Sequence, residues 1–566
     1  MEKVLYTLNH RLRAVDKHTE LVKNFKALRT DEERIIFTLD IMLEYNIIPQ
    51  VCGDSKDAKH SQTLRENGNT MFVSNPLTSQ TCISALKLYT TSVAYAPCPS
   101  EQLTLAYANR SAVLKKLCKY EECIQDIDRA LALSYPDNLK FKLYLRKAEC
   151  LEALNECPLP KIKSRNPKIP CATDAVTINY NEQYGRHVVA ARKINPGEII
   201  AIEKPYSLIL SPNNVHTHCS YCLEVSWANI PCDRCVHAMY CSEECKALDW
   251  KHFHDMECSV FPSLLKMEFT KLDLLGLRLA TQAVRESSSL EELREELKKI
   301  DSCDDPRTKG FSENGIFESD KYRSLLGLVT NTEKRTPDDL FRRSIDACFI
   351  LYFLATCTNM FGSPLKDLSA LVKNADVSFV GGLILRHQQM IPCNGHSCGL
   401  EAVERGIAAM PFFSLINHSC ASNVERHSRA KHMIMYSMYP IEKGEQLFDS
   451  YGQHYAITPK ATRQKELLKQ YHFTCQCIAC QEDWPLFYNL KSFRVKFDTY
   501  VDLATNGNII DKPHIVDDLL QMITVIYNLV PMPCEEMNNV VETLKRVYDL
   551  HGNKREIPKL QAVQSA

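Results

Sequence analysis

Between residues 219 and 258 the chain reads Cys219-x2-Cys222, Cys232-x2-Cys235, Cys241-x3-Cys245 and His254-x3-Cys258. Two-residue spacing lets two thiolates face one metal from a tight knuckle, and three-residue spacing sets two ligands one turn apart on a helix. Four such pairs supply eight ligands, enough for two tetrahedral zinc ions. So short a segment has little apolar core of its own, so the metals must supply its folding energy. A second cluster, Cys475-x-Cys477-x2-Cys480, has three thiols and needs a fourth. Cys420, in Asn417-His418-Ser419-Cys420, is the candidate. A metal there would tie a polar Asn-His loop to the segment after Tyr451 and build one pocket from residues far apart in sequence.

The zinc reading also accounts for the cysteine count. Of 25 cysteines, eleven fall in ligand spacings, and no apolar secretion signal opens the sequence, which begins MEKVLYTLNHRLRAVDKHTE. A reducing compartment, cytosol or nucleus, is therefore expected, with the remaining cysteines as buried thiols. The net charge of −1 argues against whole-protein binding to nucleic acid or to a membrane surface, and a monomer is expected. The longest apolar run, Ala347 to Ala355, is far shorter than the ~20 residues that span a bilayer and reads as a buried helix.

The pattern along the chain predicts an α+β multidomain protein. Residues 1–59 read as a charged helical region without legible function. Residues 60–157 form amphipathic helix pairs, with Gly68, Ala112 and Ala148 recurring near a ~34-residue period. A Pro/Lys-rich stretch, Cys157 to Pro170, reads as a linker. Residues 172–212 switch to strand periodicity around a Pro196-Gly197 turn. The metal module, 219–258, is followed by helices over 259–376, with a flexible loop expected at 303–320. Short strands are expected over 377–455, a cysteine-rich segment over 456–484 and helices over 485–566.

These motifs carry resemblances. The segments ENGNTMF, AYANRSAVL, KYEECIQDIDRALAL and YLRKAECLEAL resemble tetratricopeptide (TPR) repeats. The eight-ligand module resembles the MYND zinc finger. That resemblance implies alternating ligation, with Cys219, Cys222, Cys241 and Cys245 on one zinc and Cys232, Cys235, His254 and Cys258 on the other. His254 is preferred to His252 because its spacing to Cys258 keeps the helical turn; His218, His237 and His252 read as surface histidines. MYND fingers resemble docking modules for proline-rich corepressor segments; a packing brace is the alternative. Tyr184-Gly185-Arg186-His187 before the finger, and Cys393-Asn394, Asn417-His418-Ser419-Cys420, Ser450-Tyr451-Gly452 and the three-cysteine cluster after it, resemble a SET domain split by a MYND finger. This is the layout of the SMYD family, in its TPR-bearing branch.

The resemblance implies a protein-lysine N-methyltransferase that uses S-adenosylmethionine (SAM), three zinc ions and a protein lysine as acceptor, acting on histone or other proteins in cytoplasm and nucleus. It implies that Asn417 and His418 contact SAM, that Asn394 holds it from a neighbouring strand, and that Gly185, Arg186 and His187 wrap its methionine end with backbone amides. Tyr451 would orient the methyl and the amine, and Phe473 would flank the adenine or the lysine channel. Two departures stand out: His187 where the family's wrapping loop has a second glycine, and Ser422 where it often has proline. Arg65, Asn69, Asn109, Lys142 and Arg146 match a TPR carboxylate clamp for the acidic C-terminal tails of chaperones. A scaffold with a vestigial SET fold, joining chaperones or transcriptional partners, is the alternative reading.

Overall fold

In a computed structural model the chain is described over residues 18–150, 161–493 and 514–552, apart from 75, 134, 137, 138, 401, 402 and 430. Helix Asp31–Glu44 opens with a capping box, in which the Glu33 amide donates to Thr30 Oγ1 (3.1 Å) and the Thr30 amide to Glu33 Oε2 (3.0 Å). It buries Ile35, Leu39 and Met42 in the same core as helices Pro337–Cys357 and Ala375–Asn394. Residues 31–44 are thus part of the helical insertion's core rather than of a separate N-terminal region.

Helices Ala58–Phe72, Ser79–Tyr95, Glu101–Lys116, Tyr120–Ala132 and Lys140–Cys150 form two antiparallel hairpins and a further half. Asp57, Thr78 and Ser100 cap the first three with side-chain oxygens. A Cβ at Gly68 would lie 2.6 Å from the Tyr89 ring, so this crossing requires glycine. Residues 151–157 of the expected repeats lie outside the described residues.

These repeats share one apolar core with the cysteine module. Arg110, fully buried, donates from Nε and Nη2 to Asp126 (2.7 and 2.9 Å) and from Nη2 to the Asn229 carbonyl of the module (2.8 Å). Arg129 donates to the neighbouring Ala228 carbonyl, and Lys119 lies over the Trp227 ring. The module thus packs as a brace against the repeats.

The strand region is split in sequence and whole in space. A five-stranded sheet runs in the order Arg165–Asn166, Ile169–Thr173, Ile199–Glu203, His432–Ser437, Val424–Arg429. Its central pairing is antiparallel, Glu203 opposite Met433 and Ala201 opposite Met435. A second sheet sets Ser207–Leu210 beside Val403–Ala409 and Gly395–Leu400. The short strands Asn417–His418 and Phe448–Asp449 pair in parallel.

Three expectations are corrected. The stretch read as a linker contributes the edge strands from Arg165 onward, because Ile169 and Ala172 are buried in the sheet. Residues 377–394, expected as strands, belong to helix Ala375–Asn394, whose Asn374 cap and buried Val377, Leu383, Ile384 and Met390 fix a helical packing. The expected loop at 303–320 is pinned by buried Phe317, whose amide donates to Lys168 O (2.7 Å). The run Ala347–Ala355 lies, as expected, in a buried helix, and no described helix is long and apolar enough to cross a membrane.

Helices Ile515–Leu529 and Glu535–Gly552 close the described chain and lie against the sheet. Tyr548 stacks on Tyr436 (4.1 Å, 9°), Lys545 pairs with Glu425 (2.9 Å), and Asp549 meets His427 (2.6 Å).

Candidate active site and zinc centres

Three clusters of ligand atoms converge, each with its members within 4.8 Å of one another: Cys219, Cys222, Cys241, Cys245; Cys232, Cys235, His254, Cys258; and Cys420, Cys475, Cys477, Cys480. The sulfur separations discriminate between bonding modes. Cys222–Cys241 is 3.7 Å, Cys232–Cys258 4.0 Å, Cys420–Cys475 3.9 Å and Cys420–Cys480 3.6 Å. A disulfide needs about 2.05 Å. Zn–S bonds of about 2.3 Å place tetrahedral thiolates about 3.8 Å apart, so the residues present fit zinc. His254 Nε2 lies 3.3 Å from Cys235 Sγ, whereas His252 stands beside Tyr221. His218, expected at the surface, is buried, with its ring on Thr217 Oγ1 (2.8 Å).

The third cluster leads directly to Tyr451. The Tyr451 amide donates to His418 Nδ1 at 3.0 Å. Burial lowers the His418 pKa to about 4, so the ring is neutral, and the proton it carries sits on Nε2. That Nε2–H faces Cys420 Sγ at 3.4 Å. One imidazole therefore joins a metal-ligand sulfur to the backbone of Tyr451. The Tyr451 hydroxyl donates to Ile416 O at 2.9 Å, and burial pushes its pKa well above the ordinary tyrosine range.

Tyr451 and Asn394 line a cavity of about 510 Å³ together with Tyr471, His396, Ser414 and Arg426. Tyr471 packs against Tyr451 with ring centroids 4.7 Å apart. Asn394 is the last residue of helix Ala375–Asn394, not a strand residue as expected. Its amide nitrogen is held by Val329 O (2.9 Å) and Met390 O (2.8 Å). Asn417 Nδ2 donates to Tyr184 O at 3.1 Å, which brings the 184–187 turn to the Asn-His loop. Gly185 has φ +64°, and nothing lies within 4 Å of where a Cβ would be, so the turn leaves open room for a ligand. Arg186 turns its guanidinium away, to the carbonyls of Lys309 and Gly327. His187 is buried, with Nδ1 folded back on Gly185 O (2.9 Å). Phe473 lies 6.2 Å from the His418 ring.

Four participants carry no motif signal. Tyr471 and His396 were missed because an aromatic residue in a helix or strand looks like core until its neighbours are known. Arg463 is fully buried and donates to Cys480 Sγ (3.5 Å) and Thr458 O (2.6 Å), setting a cation beside four thiolates. Glu203, also fully buried, accepts the amides of Phe412 and Phe413 (3.0 Å each) and so fixes the turn that leads into Asn417.

A SET-domain family model matches residues 185–452, the segment that supplies this cavity's lining apart from Gln470 and Tyr471. The strands before and after the finger thus form a SET domain. Human protein-lysine N-methyltransferase SMYD4 is 26% identical over 550 aligned residues, covering 76% of this chain and 68% of that protein. N-lysine methyltransferase SMYD2 of Homo sapiens is 27% identical over 300 residues, 52% of this chain and 58% of that one. Histone-lysine N-methyltransferase ASHR1 of Arabidopsis thaliana is 26% identical over 303 residues, 53% of each. Over these spans the chain is similar to methyltransferases of the SMYD family.

Proposed function

We propose that the chain is a SAM-dependent protein-lysine N-methyltransferase that holds three zinc ions. The observation that carries this reading is the cavity in which Tyr451, tied through His418 to the Cys420 cluster, faces Tyr471 and Asn394. SAM supplies a methyl on a positively charged sulfur, open to in-line attack by an amine. Asn417, His418, Asn394 and the backbone of Gly185 to His187 would hold it, and Phe473 would flank it. The Tyr451 hydroxyl hydrogen is committed to Ile416 O, which leaves its oxygen as an acceptor. Its raised pKa keeps it neutral, so it orients an amine rather than removing a proton.

A free lysine amine has pKa ~10.4 and is almost wholly protonated at neutral pH. The cavity works against that charge. Its wall is aromatic at Tyr451 and Tyr471, and among the described residues lining it none is acidic, while Arg426, Arg343 and Lys271 are paired with Asp449, Asp339 and Glu404. Both features favour the neutral, nucleophilic amine. The test is transfer of label from tritiated SAM to proteins of a hypomethylated cell lysate. Tyr451→Phe is expected to lower labelling about 100-fold or more, the scale of a lost positioning contact in a transition state. Failure of the wild-type chain to bind SAM at millimolar concentration overturns the reading.

For partners, the TPR face supports a carboxylate clamp. Asn69 Oδ1 accepts from Tyr89 OH (2.7 Å) and Asn109 Nδ2 (2.8 Å), which turns the Asn69 NH2 away from both. Arg146 bonds Ala108 O on the middle helix, Lys142 is exposed, and Arg65 is half-buried. The proposed ligand is a chaperone-type acidic C-terminal tail. A fluorescent peptide with a free acidic C-terminus is expected to bind, and Lys142→Ala to weaken it about tenfold, roughly 1.4 kcal/mol. Equal binding of the C-terminally amidated peptide would rule the clamp out. A proline-rich corepressor segment at the finger, and residence in both cytoplasm and nucleus, complete the proposal. Capture of a proline-rich peptide by the full chain, and fractionation of cells expressing it, test these two.

A further inference from the structure

Asp449, 1% exposed, closes the turn that carries Tyr451. Its Oδ1 accepts the Ser450 amide at 2.7 Å, and its carbonyl accepts the amide of Ser419, the residue after His418, at 3.0 Å. His418 in turn accepts the Tyr451 amide. Two consecutive amides, Ser450 and Tyr451, are thus fixed by two side chains that stand opposite each other in paired strands. The carboxylate that closes this turn also brings a negative charge close to a site for an amine. Its Oδ2 meets Arg426 Nη1. Arg426 lines the cavity whereas Asp449 is buried away from it, so the cavity meets the guanidinium rather than the carboxylate. The two charges oppose each other at both hydroxyls. Burial pushes the Tyr471 pKa up to about 12, while Arg426 lowers it and Asp449 raises it. At Tyr451 burial leads again, Asp449 adds to it and Arg426 works against it. The other charged groups nearby are already matched. Glu425 and His427 point to the opposite face of the strand, where they meet Lys545 (2.9 Å) and Asp549 (2.6 Å) of the last helix. Arg343 pairs with Asp339 and Lys271 with Glu404, and burial keeps His396 and His418 neutral. Cys393 is the cavity's one thiol among the described residues.

We propose that Arg426 serves methyl transfer by cancelling the charge of Asp449, so that the carboxylate which positions Tyr451 does not hold the substrate lysine as its unreactive ammonium. The proposal rests on the methyltransferase reading. In the transfer the neutral amine nitrogen forms a bond to the methyl carbon as the carbon–sulfur bond breaks. The sulfur keeps the electron pair, and the resulting methylammonium releases a proton to solvent. Only an amine with a free lone pair can begin this step. An unpaired carboxylate beside the cavity would favour the protonated lysine and raise its pKa. Each unit of that rise removes about nine-tenths of the neutral amine at pH values below the pKa. Arg426 acts through Asp449 and is a positioning residue of the charge, not a partner of the reacting atoms.

The test is the pH profile of kcat, measured with the purified full-length chain, saturating tritiated SAM and hypomethylated lysate at concentrations where the rate no longer rises. Such a profile reports the bound amine rather than the free one. Arg426→Met is expected to move the alkaline rise in rate upward by about one pH unit, which is about tenfold less transfer at neutral pH. Arg426→Lys keeps the charge and is expected to hold the wild-type profile. Asp449→Asn keeps an oxygen for the Ser450 amide and leaves Arg426 unpaired, so it should move the rise downward. The double variant Arg426→Met, Asp449→Asn carries neither charge and should return the rise to the wild-type position. SAM affinity and the zinc content are expected to be unchanged in all four. An unshifted profile in Arg426→Met overturns the proposal, as does a double variant shifted as far as Arg426→Met alone. Should Arg426→Met not fold, a profile of Asp449→Asn that fails to move downward overturns it equally. A wild-type chain that labels no lysine refutes instead the methyltransferase reading.

Discussion

Replacing Cys477 with serine is expected to lower methyl transfer about 100-fold, although the side chain touches neither amine nor methyl donor in the proposed reaction. The cause is the path from the cluster to Tyr451. Cys477 is one of four sulfurs that converge on one point, Cys420 is another, and His418 bridges Cys420 to the Tyr451 amide. Without its metal the cluster would be four free thiols beside buried Arg463, and the segment carrying Tyr471 and Phe473 would be left to ring contacts with Tyr451 and His418. Metal analysis should fall from three zinc ions per chain to two, with the finger's two sites retained. SAM affinity should drop as well, since Asn417 and His418 belong to the loop that ends at Cys420. Full activity in a Cys477→Ser chain that has lost one zinc would break the connection between metal and pocket.

Removing Arg110 is expected to be the most destabilising single change in the repeat region, about 3–5 kcal/mol. Arg110→Ala leaves Asp126, fully buried, with Arg129 as its remaining cation at 3.1 Å, and strips the Asn229 carbonyl of its donor. It also loosens the finger from the repeats, so thermal unfolding should split into two transitions. Lys147→Ala provides the contrast. Its pair with Asp128 is partly exposed, so it should cost under ~1 kcal/mol despite a separation of 2.6 Å. Chemical denaturation of the two variants distinguishes them, and similar losses in both would show that the Arg110 network is not the joint between the modules.

What could be read without coordinates was whatever a local pattern carries. Ligand spacings announced two zinc sites in the finger, and the three-cysteine cluster announced a site short of one ligand. The repeat helices declared themselves by small residues at a regular period. The limits came where local pattern is ambiguous. Residues 377–385 are mostly apolar and 386–389 polar, yet nearly all of them are buried, so neither strand nor helix periodicity stands out, and the tertiary core decided for helix. The edge strands from Arg165 were hidden by a proline- and lysine-rich composition that suits a linker equally well. His396 and Arg463 owe their importance to what lies across the chain from them, Ser414 for one and Cys480 for the other, and no spacing encodes that.

The antiparallel pairing of Ile199–Glu203 with His432–Ser437 sets an order on the birth of the molecule. A ribosome must deliver the finger and the whole helical insertion before the first of these strands meets its partner, and the Cys420 cluster waits longer still, for Cys480. The repeats and finger, whose contacts are mostly between neighbouring segments, can consolidate early, while the catalytic half remains an open sheet edge. During that interval the nascent chain already holds a packed block of repeats and finger, while the cavity of Tyr451 and Tyr471 has yet to be assembled.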